Sequence, residues 1–300
     1  MVNEKVIALQ YHIFDGQYRY KNGRNGVEIV GVEDLKTTAI DIPNEIDGRP
    51  VVSIGNEAFY LCFDAGRVSI PPTVTKIGKD ALACCHSLET VDIPVNVQVI
   101  DDGAFRGSKN LRRMVIPDGV TEVAEDLFND CRQLASVTLP DSIRKIEKNA
   151  FYCCFALQLL HLPDGLTEIG ESAFERCRSM TALHMPDSVT KIGEGAFDGC
   201  KGLKEVVMSS AVRKLPGYVF NWCEGLTSFS VSNHVTEIGE CAFKRCHSLR
   251  RIVIPRSVCK IHPTAFEECE NLLIAGESGS EAEKYARAHG IPFDPRPNRI

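Results

Sequence analysis

The sequence repeats itself every 23 residues, and this period constrains the fold more than any other feature. An aromatic position recurs at that constant step, and leucine replaces phenylalanine in a single unit. The column contains Phe59, Leu82, Phe105, Phe128, Phe151, Phe174, Phe197, Phe220, Phe243 and Phe266. A unit of 23 residues cannot bury an apolar face alone, so the period predicts a stack of equivalent coils in place of ordinary globular domains.

The consensus unit contains two different local patterns, written L-x-x-V-x-I-P-x-x-V-x-x-I-G-x-x-A-F-x-x-C-x-x. The V-x-I segment alternates with period two, which is typical of a short strand with one buried face, and the proline that follows ends it. A second extended segment, V-x-x-I-G, closes on a turn before a helical or 3₁₀ turn that carries A-F-x-x-C. We therefore predict a right-handed solenoid whose coils have about three sides and include short parallel strands.

Both ends of the chain depart from the unit and predict caps. Residues 1–45 alternate hydrophobic and polar positions around glycines, which predicts a capping hairpin, and residues 46–272 hold ten coils. Residues 273–300 form the predicted C-terminal cap. In this cap, Ser280 and Glu283 form a capping box that opens a short helix, and Gly290 and Pro292 end it.

Thirteen cysteines suggest disulfide or zinc chemistry, but most of them follow the repeat. Only Ser108 breaks the periodic series Cys62, Cys85, Cys131, Cys154, Cys177, Cys200, Cys223, Cys246 and Cys269. Stacked coils would bring neighbouring Cα atoms to about 5 Å, a distance that permits disulfides. A column three residues after phenylalanine should nevertheless face inward, so we predict buried and unreactive thiols. The remaining cysteines have no zinc-like spacing, and we predict neither a metal nor another cofactor.

The unit x-x-V-x-I-P-x-x-V-x-x-I-G-x-x-A-F-x-x-C resembles the BspA-type leucine-rich repeat. The likeness includes an enlarged first repeat over residues 42–55 and the G-S-x-A-E-K-Y-A stretch over residues 279–286. This resemblance implies a leucine-rich-repeat-like coil stack in a family that includes bacterial surface adhesins. Fold likeness alone does not assign a function, so the adhesion role is an expectation that the resemblance carries.

Charge and hydropathy narrow the classes of partner. A formal net charge of -6 argues against nucleic acid, because phosphate binding needs clustered positive charge. No stretch reaches the length needed to insert into a bilayer, and Glu4 and Lys5 interrupt the place of a signal peptide. The sequence predicts a cytoplasmic protein, and the resemblance predicts the cell surface or secretion as the alternative. Nothing in the sequence predicts the oligomeric state.

The outward row of the V-x-I strands is the candidate binding site. It contains Leu159, His161, Ala182, His184 and Val207, and Arg113 and Arg251 flank it. An exposed apolar patch with a basic margin favours a protein or glycan partner, although β-propensity alone also places such residues on strands. The two histidines share a column and could bind a metal or titrate as a pair, but exposed strand histidines are the simpler interpretation.

These features predict a non-enzymatic interaction or adhesion scaffold that binds its partner on the strand surface. The alternative is a structural or targeting module that has no tight ligand of its own. An enzyme is the third class, and no set of nucleophile, base and oxyanion donors supports it. A column of alternating sign, Glu122, Lys145, Glu168 and Lys191, predicts a ladder of exposed ion pairs along another edge.

Overall fold

The computed structural model describes residues 11–158 and 160–296, and it confirms a stack of coils about 23 residues apart. The first strands are β1 (His12–Phe14), β2 (Tyr18–Asn22), β3 (Val27–Val32), β4 (Ala39–Asp41), β5 (Glu45–Ile46) and β6 (Arg49–Ile54). The next strands are β7 (Arg67–Ser69), β8 (Lys76–Ile77), β9 (Thr90–Val91), β10 (Val99–Ile100), β11 (Arg113–Val115), β12 (Glu122–Val123), β13 (Ser136–Thr138), β14 (Lys145–Ile146) and β15 (Glu168–Ile169).

The second half continues the same alternation of strands. It contains β16 (Ala182–His184), β17 (Lys191–Ile192), β18 (Glu205–Val207), β19 (Lys214–Leu215), β20 (Ser228–Ser230), β21 (Glu237–Ile238), β22 (Arg251–Val253), β23 (Lys260–Ile261), β24 (Leu273–Ala275), the helix α1 (Glu281–Ala288) and β25 (Phe293–Asp294). The central coils thus contribute two short strands each, as the two extended segments of the unit predict, except for the coil of His161. There the described residues 160 and 161 form no strand, and β15 is the coil's one strand.

The strands form two parallel ladders on two sides of the stack. Ladder A contains the V-x-I strands in four sheets, β4-β7-β9, β11-β13, β16-β18 and β20-β22-β24-β25. Ladder B contains the second segments, in β3-β6-β8-β10, β12-β14-β15-β17 and β19-β21-β23. Residues pair at the 23-residue step, for example Met114 with Val137 in ladder A and Ile146 with Ile169 in ladder B.

The core lies inside the coils, where each repeat column becomes a continuous stack. Phe151 is fully buried, and its ring centroid lies 5.4 Å from that of Phe128 and 5.1 Å from that of Phe174. The last stacked ring, Phe266, meets Tyr285 of α1 edge-on at 5.6 Å. A single coil cannot bury its own apolar surface. The stack buries this surface between neighbouring coils and, at its C-terminal end, under the helix α1.

The third side of each coil differs from the predicted helical or 3₁₀ turn. It has 3₁₀-type bonds such as Cys154 N–H to Phe151 C=O at 3.1 Å, but Phe151 N–H donates to Ala173 C=O of the next coil at 2.8 Å. Two columns of left-handed residues interrupt the turn, and Arg176 (φ 62°) and Trp222 (φ 56°) are examples from the second column. The left-handed residues redirect N–H groups towards the neighbouring coil, so no regular helix forms on this side.

The stack extends beyond the ten predicted coils to about twelve turns, because segments near both ends add strands to the ladders. At the N-terminal end β3 pairs in parallel with β6, and β4 pairs with β7. At the C-terminal end β24 and β25 continue ladder A. The helix α1 begins after Ser280, whose hydroxyl accepts the Glu283 N–H, and the Glu283 carboxylate accepts the Gly279 N–H at 2.6 Å. In the described residues, no helix is long and apolar enough to cross a membrane.

Candidate interaction surface

The outward side of ladder A, called the strand face below, carries most of the residues that the sequence singled out. In β13 and β16 the central residue is buried and the two flanking residues point outward, and in β18 the central Val206 is half-buried. Strand pairing places Ala182 beside Glu205 and His184 beside Val207. His184 and His161 are exposed, Ala182 is half-buried, and Val207 has 45% of its surface exposed. Leu159 lies outside the described residues.

Two outward columns run along the strand face. The first column contains Val115, Thr138, His161, His184, Val207 and Ser230, and it has no charged residue apart from any protonated histidine. The second column contains Arg113, Ser136, Ala182, Glu205, Ser228 and Arg251. The first column is therefore an uncharged strip, and the charges of the second column lie near its two ends and at Glu205.

The sequence analysis did not include Val115 or Glu205 in this surface. Val115 has 62% of its surface exposed in β11, two coils before the predicted patch. Glu205 lies inside the patch, where its Oε1 is 3.9 Å from Nε2 of His184. The 23-residue step predicts both residues on this surface, because Val115 and Glu205 occupy the outward flanking positions of V-x-I strands.

The two flanking arginines have different surroundings. Arg113 is exposed at the end of β11, and in the part of the chain that the structure describes it makes no ion pair. Arg251 is half-buried, and its guanidinium contacts the Asp294 carboxylate of β25 at 3.3 Å. Arg251 therefore connects β22 with β25 across the intervening β24, whereas Arg113 presents its charge to solvent.

The cysteine column faces the core, and all thirteen cysteines are free thiols. Each thiol from Cys85 to Cys269 donates to the carbonyl of a residue in the preceding coil, as Cys154 Sγ does to Phe128 C=O at 3.2 Å. Burial raises the pKa of the Cys62 thiol to about 11 and that of the Cys154 thiol well above its ordinary value. The nucleophilic thiolate is therefore strongly disfavoured in the column from Cys62 to Cys246, whereas the hydrogen bond with Cys246 lowers the pKa of the half-buried Cys269.

Ladder B carries the predicted ladder of alternating charge. Glu122 pairs with Lys145, Lys145 with Glu168, and Glu168 with Lys191. Nζ of Lys145 is 4.0 Å from the Glu168 carboxylate, and Lys191 also contacts that carboxylate. The ladder lies on a different side of the coils from the strand face. Within residues 11–158 and 160–296, no group of three or more histidine, cysteine, aspartate or glutamate side chains is arranged to hold a metal ion.

Parallel ladders, one buried column per repeat position and an open strand face define the chain as a β-solenoid repeat protein. The sequence profile described as BspA type leucine rich repeat region (6 copies) matches residues 33–158 and 144–273. The chain belongs to the BspA-type leucine-rich repeat family. Members of this family are built on a scaffold of repeats, which is typical of protein-interaction and surface-antigen proteins.

Several solved structures are similar to this chain. A leucine rich cell surface protein from Faecalibacterium prausnitzii A2-165 is 30% identical, with 95% of this chain and 98% of that chain covered and a TM-score of 0.48. A leucine-rich repeat protein from Bacteroides ovatus ATCC 8483 is 24% identical, with 94% and 99% covered and a TM-score of 0.46. The pneumococcal vaccine antigen PcpA is 14% identical, with 97% and 99% covered and a TM-score of 0.47. No curated protein matches the chain.

Proposed function

We propose that this chain is a non-enzymatic interaction or adhesion scaffold that binds a protein partner through the strand face. The observation that carries the proposal is the uncharged strip from Val115 to Ser230 on a chain whose formal net charge is -6. Elsewhere the surface is dense in ions, as on ladder B. A continuous exposed strip with few charges, bordered by polar residues, favours a binding surface for another macromolecule.

The dimensions of the strip suit a protein surface. Val115 and Ser230 are separated by five coil steps, so at a strand spacing of ~4.8 Å the strip is about 24 Å long. That length is comparable with one side of a standard interface, which buries roughly 800 Å² per partner. The sheets β11-β13 and β16-β18 hold most of the strip in regular backbone hydrogen bonds, which limits the conformational entropy that binding removes.

Polar groups on the strip and its margin would orient the partner. His184 and Glu205 lie beside each other in the middle, and they offer hydrogen-bonding groups next to the exposed Val207. Arg113 adds an exposed positive charge at one end, and a charge at an interface margin mainly raises the association rate. We assign Arg251 a smaller part, because its guanidinium contacts Asp294.

Site-specific photo-crosslinking tests this function. A photoreactive phenylalanine analogue replaces Val207 on the strand face or, in the control, Val99 on ladder B, which is 42% exposed. Both valines are strand residues of similar exposure. After irradiation in the source cell, the proposal predicts a discrete crosslinked protein at position 207 that is weak or missing at position 99. Equal products at both positions, or none at 207, would favour a structural or targeting module.

The cellular location is a separate proposal with its own test. The sequence predicts a cytoplasmic protein, and an adhesion role requires the cell surface. Protease is added to intact cells, and loss of the full-length chain measures whether the protein is accessible from outside. This measurement distinguishes the two locations. Adhesion predicts cleavage without lysis, and an intracellular scaffold predicts protection until the cells are broken.

A further inference from the structure

A cleft opens on the third side of the coils, which is a different side of the stack from the strand face. Its outward column contains Arg176, Gly199 and Trp222 at the 23-residue step. Because Gly199 has no side chain, a gap remains between Arg176 and Trp222, whose coils are about 10 Å apart at twice the strand spacing. The resulting Trp222 cleft has a volume of about 420 Å³, within the roughly 300–1,000 Å³ of small-ligand sites.

Three cations and one aromatic ring form the walls of the Trp222 cleft. Lys201 Nζ lies 4.9 Å from the centre of the Trp222 ring and 2.6 Å from the Glu224 carboxylate. Arg176 lies 3.6 Å from the Glu175 carboxylate. Arg178 stacks over another aromatic ring at 4.6 Å and, as far as the structure describes the chain, makes no ion pair. The walls therefore offer a positive charge without a carboxylate partner.

The floor of the Trp222 cleft is polar and partly unsatisfied. Asn221 Nδ2 donates to Asp198 Oδ1 at 3.0 Å. Asn221 is only 7% exposed, and its Oδ1 accepts no hydrogen bond from any described residue. Burial raises the pKa of the Asp198 carboxyl to about 6. The Asn221 oxygen is enclosed by the protein, so the half-buried Asp198 carboxylate is the acceptor that the floor offers to a ligand.

We propose that the Trp222 cleft binds an acidic sugar residue, a pyranose that carries a carboxylate. The Trp222 ring already has Lys201 at 4.9 Å and Arg245 at 4.4 Å from its centre. The sugar carboxylate would face Arg178 and Arg176, the hydroxyls would donate to the Asp198 carboxylate, and the apolar ring face would pack against the part of the indole that the two cations leave uncovered. An inorganic anion has no apolar face to pack against the indole, and a neutral sugar has no carboxylate to pair with the arginines. This site is independent of the protein-binding function proposed for the strand face.

A column beside the cleft extends the site along the stack. From the first coil to Lys201, one position per coil carries only aromatic or basic residues, namely Phe63, His86, Lys109, Arg132, Phe155, Arg178 and Lys201. Arg132 and Arg178 lie 5.8 Å and 4.6 Å from the ring centre of Phe155. On an acidic chain this row suits a polymer of acidic sugars, whose charges repeat along its length.

The experiment uses tryptophan fluorescence, because Trp222 is the single tryptophan of the chain. Two probes are used, trigalacturonic acid and sialyllactose. The first carries uronic acid carboxylates and the second a sialic acid carboxylate, so the comparison shows which class of acidic sugar binds. Maltotriose is the neutral control, and hexaglutamate is the acidic peptide control. We expect a saturable change in Trp222 emission with at least one acidic saccharide, weakened by salt, and a much smaller response to both controls.

Two variants of the cleft and two control variants elsewhere assign the response to the cleft. Arg178→Ala should weaken saccharide binding by roughly tenfold or more, because a charge-assisted contact is lost. Arg112→Ala, an exposed arginine on the strand side, should leave affinity unchanged. Gly199→Arg should block the cleft, and arginine is compatible with that backbone because Arg176 has φ 62° in the same column. Val207→Asp should not change the affinity for the saccharide, because Val207 lies on the strand face and not in the cleft.

The proposal is overturned by any of three results. These are no saturable response to either acidic saccharide, equal affinity for maltotriose or hexaglutamate, and unchanged affinity in a folded Arg178→Ala variant. Circular dichroism of each variant confirms the fold. Because Arg178 is exposed, its substitution tests the site even if Gly199→Arg does not fold.

Discussion

The thiol of Cys154 donates a hydrogen bond to the main-chain carbonyl of Phe128 in the preceding coil, at 3.2 Å. The same contact recurs up the stack, and the one serine in the column preserves it, since Ser108 Oγ donates to Leu82 C=O at 2.9 Å. The column therefore selects a small side chain with a donor. This requirement explains why serine, and not a larger hydrophobe, breaks the cysteine series.

Exchange at Ser108 tests this explanation. Ser108→Cys should change the free energy of unfolding by less than about 1 kcal/mol, because both donors reach the same carbonyl. Ser108→Ala should cost about 1 to 2 kcal/mol, because it removes the donor and leaves a small void. Urea unfolding monitored by circular dichroism gives both values. A Ser108→Cys variant that is as unstable as Ser108→Ala would contradict the account.

The phenylalanine stack makes a second prediction. Phe151→Ala should cost about 3 to 5 kcal/mol, because Phe151 is fully buried between Phe128 and Phe174 and its loss leaves a cavity. The matched control is Phe155→Ala four residues later, where the ring is half-buried on the surface. The control should cost no more than about 1.5 kcal/mol. Similar losses in the two denaturant curves would mean that the stack is not the core.

Thiol reactivity follows from the burial of the cysteine column. In the native protein a single thiol, that of the exposed Cys259, should react rapidly with a water-soluble disulfide reagent. Eleven of the other thiols should react slowly or only after unfolding, because they are buried or half-buried. Cys269 should react at an intermediate rate, because it is half-buried and its hydrogen bond with Cys246 lowers its pKa. Cys259→Ser should abolish the fast phase. Rapid labelling of most thiols would refute the inward orientation, and cross-coil disulfides in protein from the source cell would indicate an oxidising compartment.

Asp198 should make stability depend on pH in an unusual direction. Burial raises its pKa from 3.8 to about 6, so the folded state holds the proton more tightly than the unfolded chain. Stability contributed by the protonated carboxyl is present at pH 4 and is lost as pH rises through 6. Asp198→Asn should therefore stabilise the fold by about 1 kcal/mol at pH 7, after allowance for solvent screening, and by much less at pH 4. Unfolding of both proteins at the two pH values measures this, and an equal gain at both would exclude Asp198 as the cause.

The sequence predicts the buried columns well because burial repeats every 23 residues. Phe151, Cys154 and Ile146 each occupy the interior, as expected, since a coil stack gives equivalent positions equivalent surroundings. The same periodicity predicts the register of Glu122 with Lys145. These features depend on residue type, which the sequence displays directly.

Other features depend on backbone conformation or on a missing side chain. Trp222 and Arg176 adopt left-handed conformations that their residue types disfavour, so neither residue indicates the turn in advance. The Trp222 cleft exists because Gly199 is small in a column where its neighbours are large. Aligning the repeats displays that contrast, but only the stack shows that the gap is lined by Asp198 and Asn221.

The strand face is the central claim, and the affinity for the partner captured at position 207 tests it most directly. Val115→Asp combined with Val207→Asp should weaken binding by about 2 kcal/mol or more, roughly thirtyfold, because an unpaired carboxylate would be buried in the interface. Val99→Asp on ladder B, matched in residue type and similar in exposure, should bind as the parent does. Arg113→Ala should mainly lower the association rate and its salt dependence. Unchanged affinity of the folded double variant would contradict the account and direct attention to ladder B or the third side of the coils.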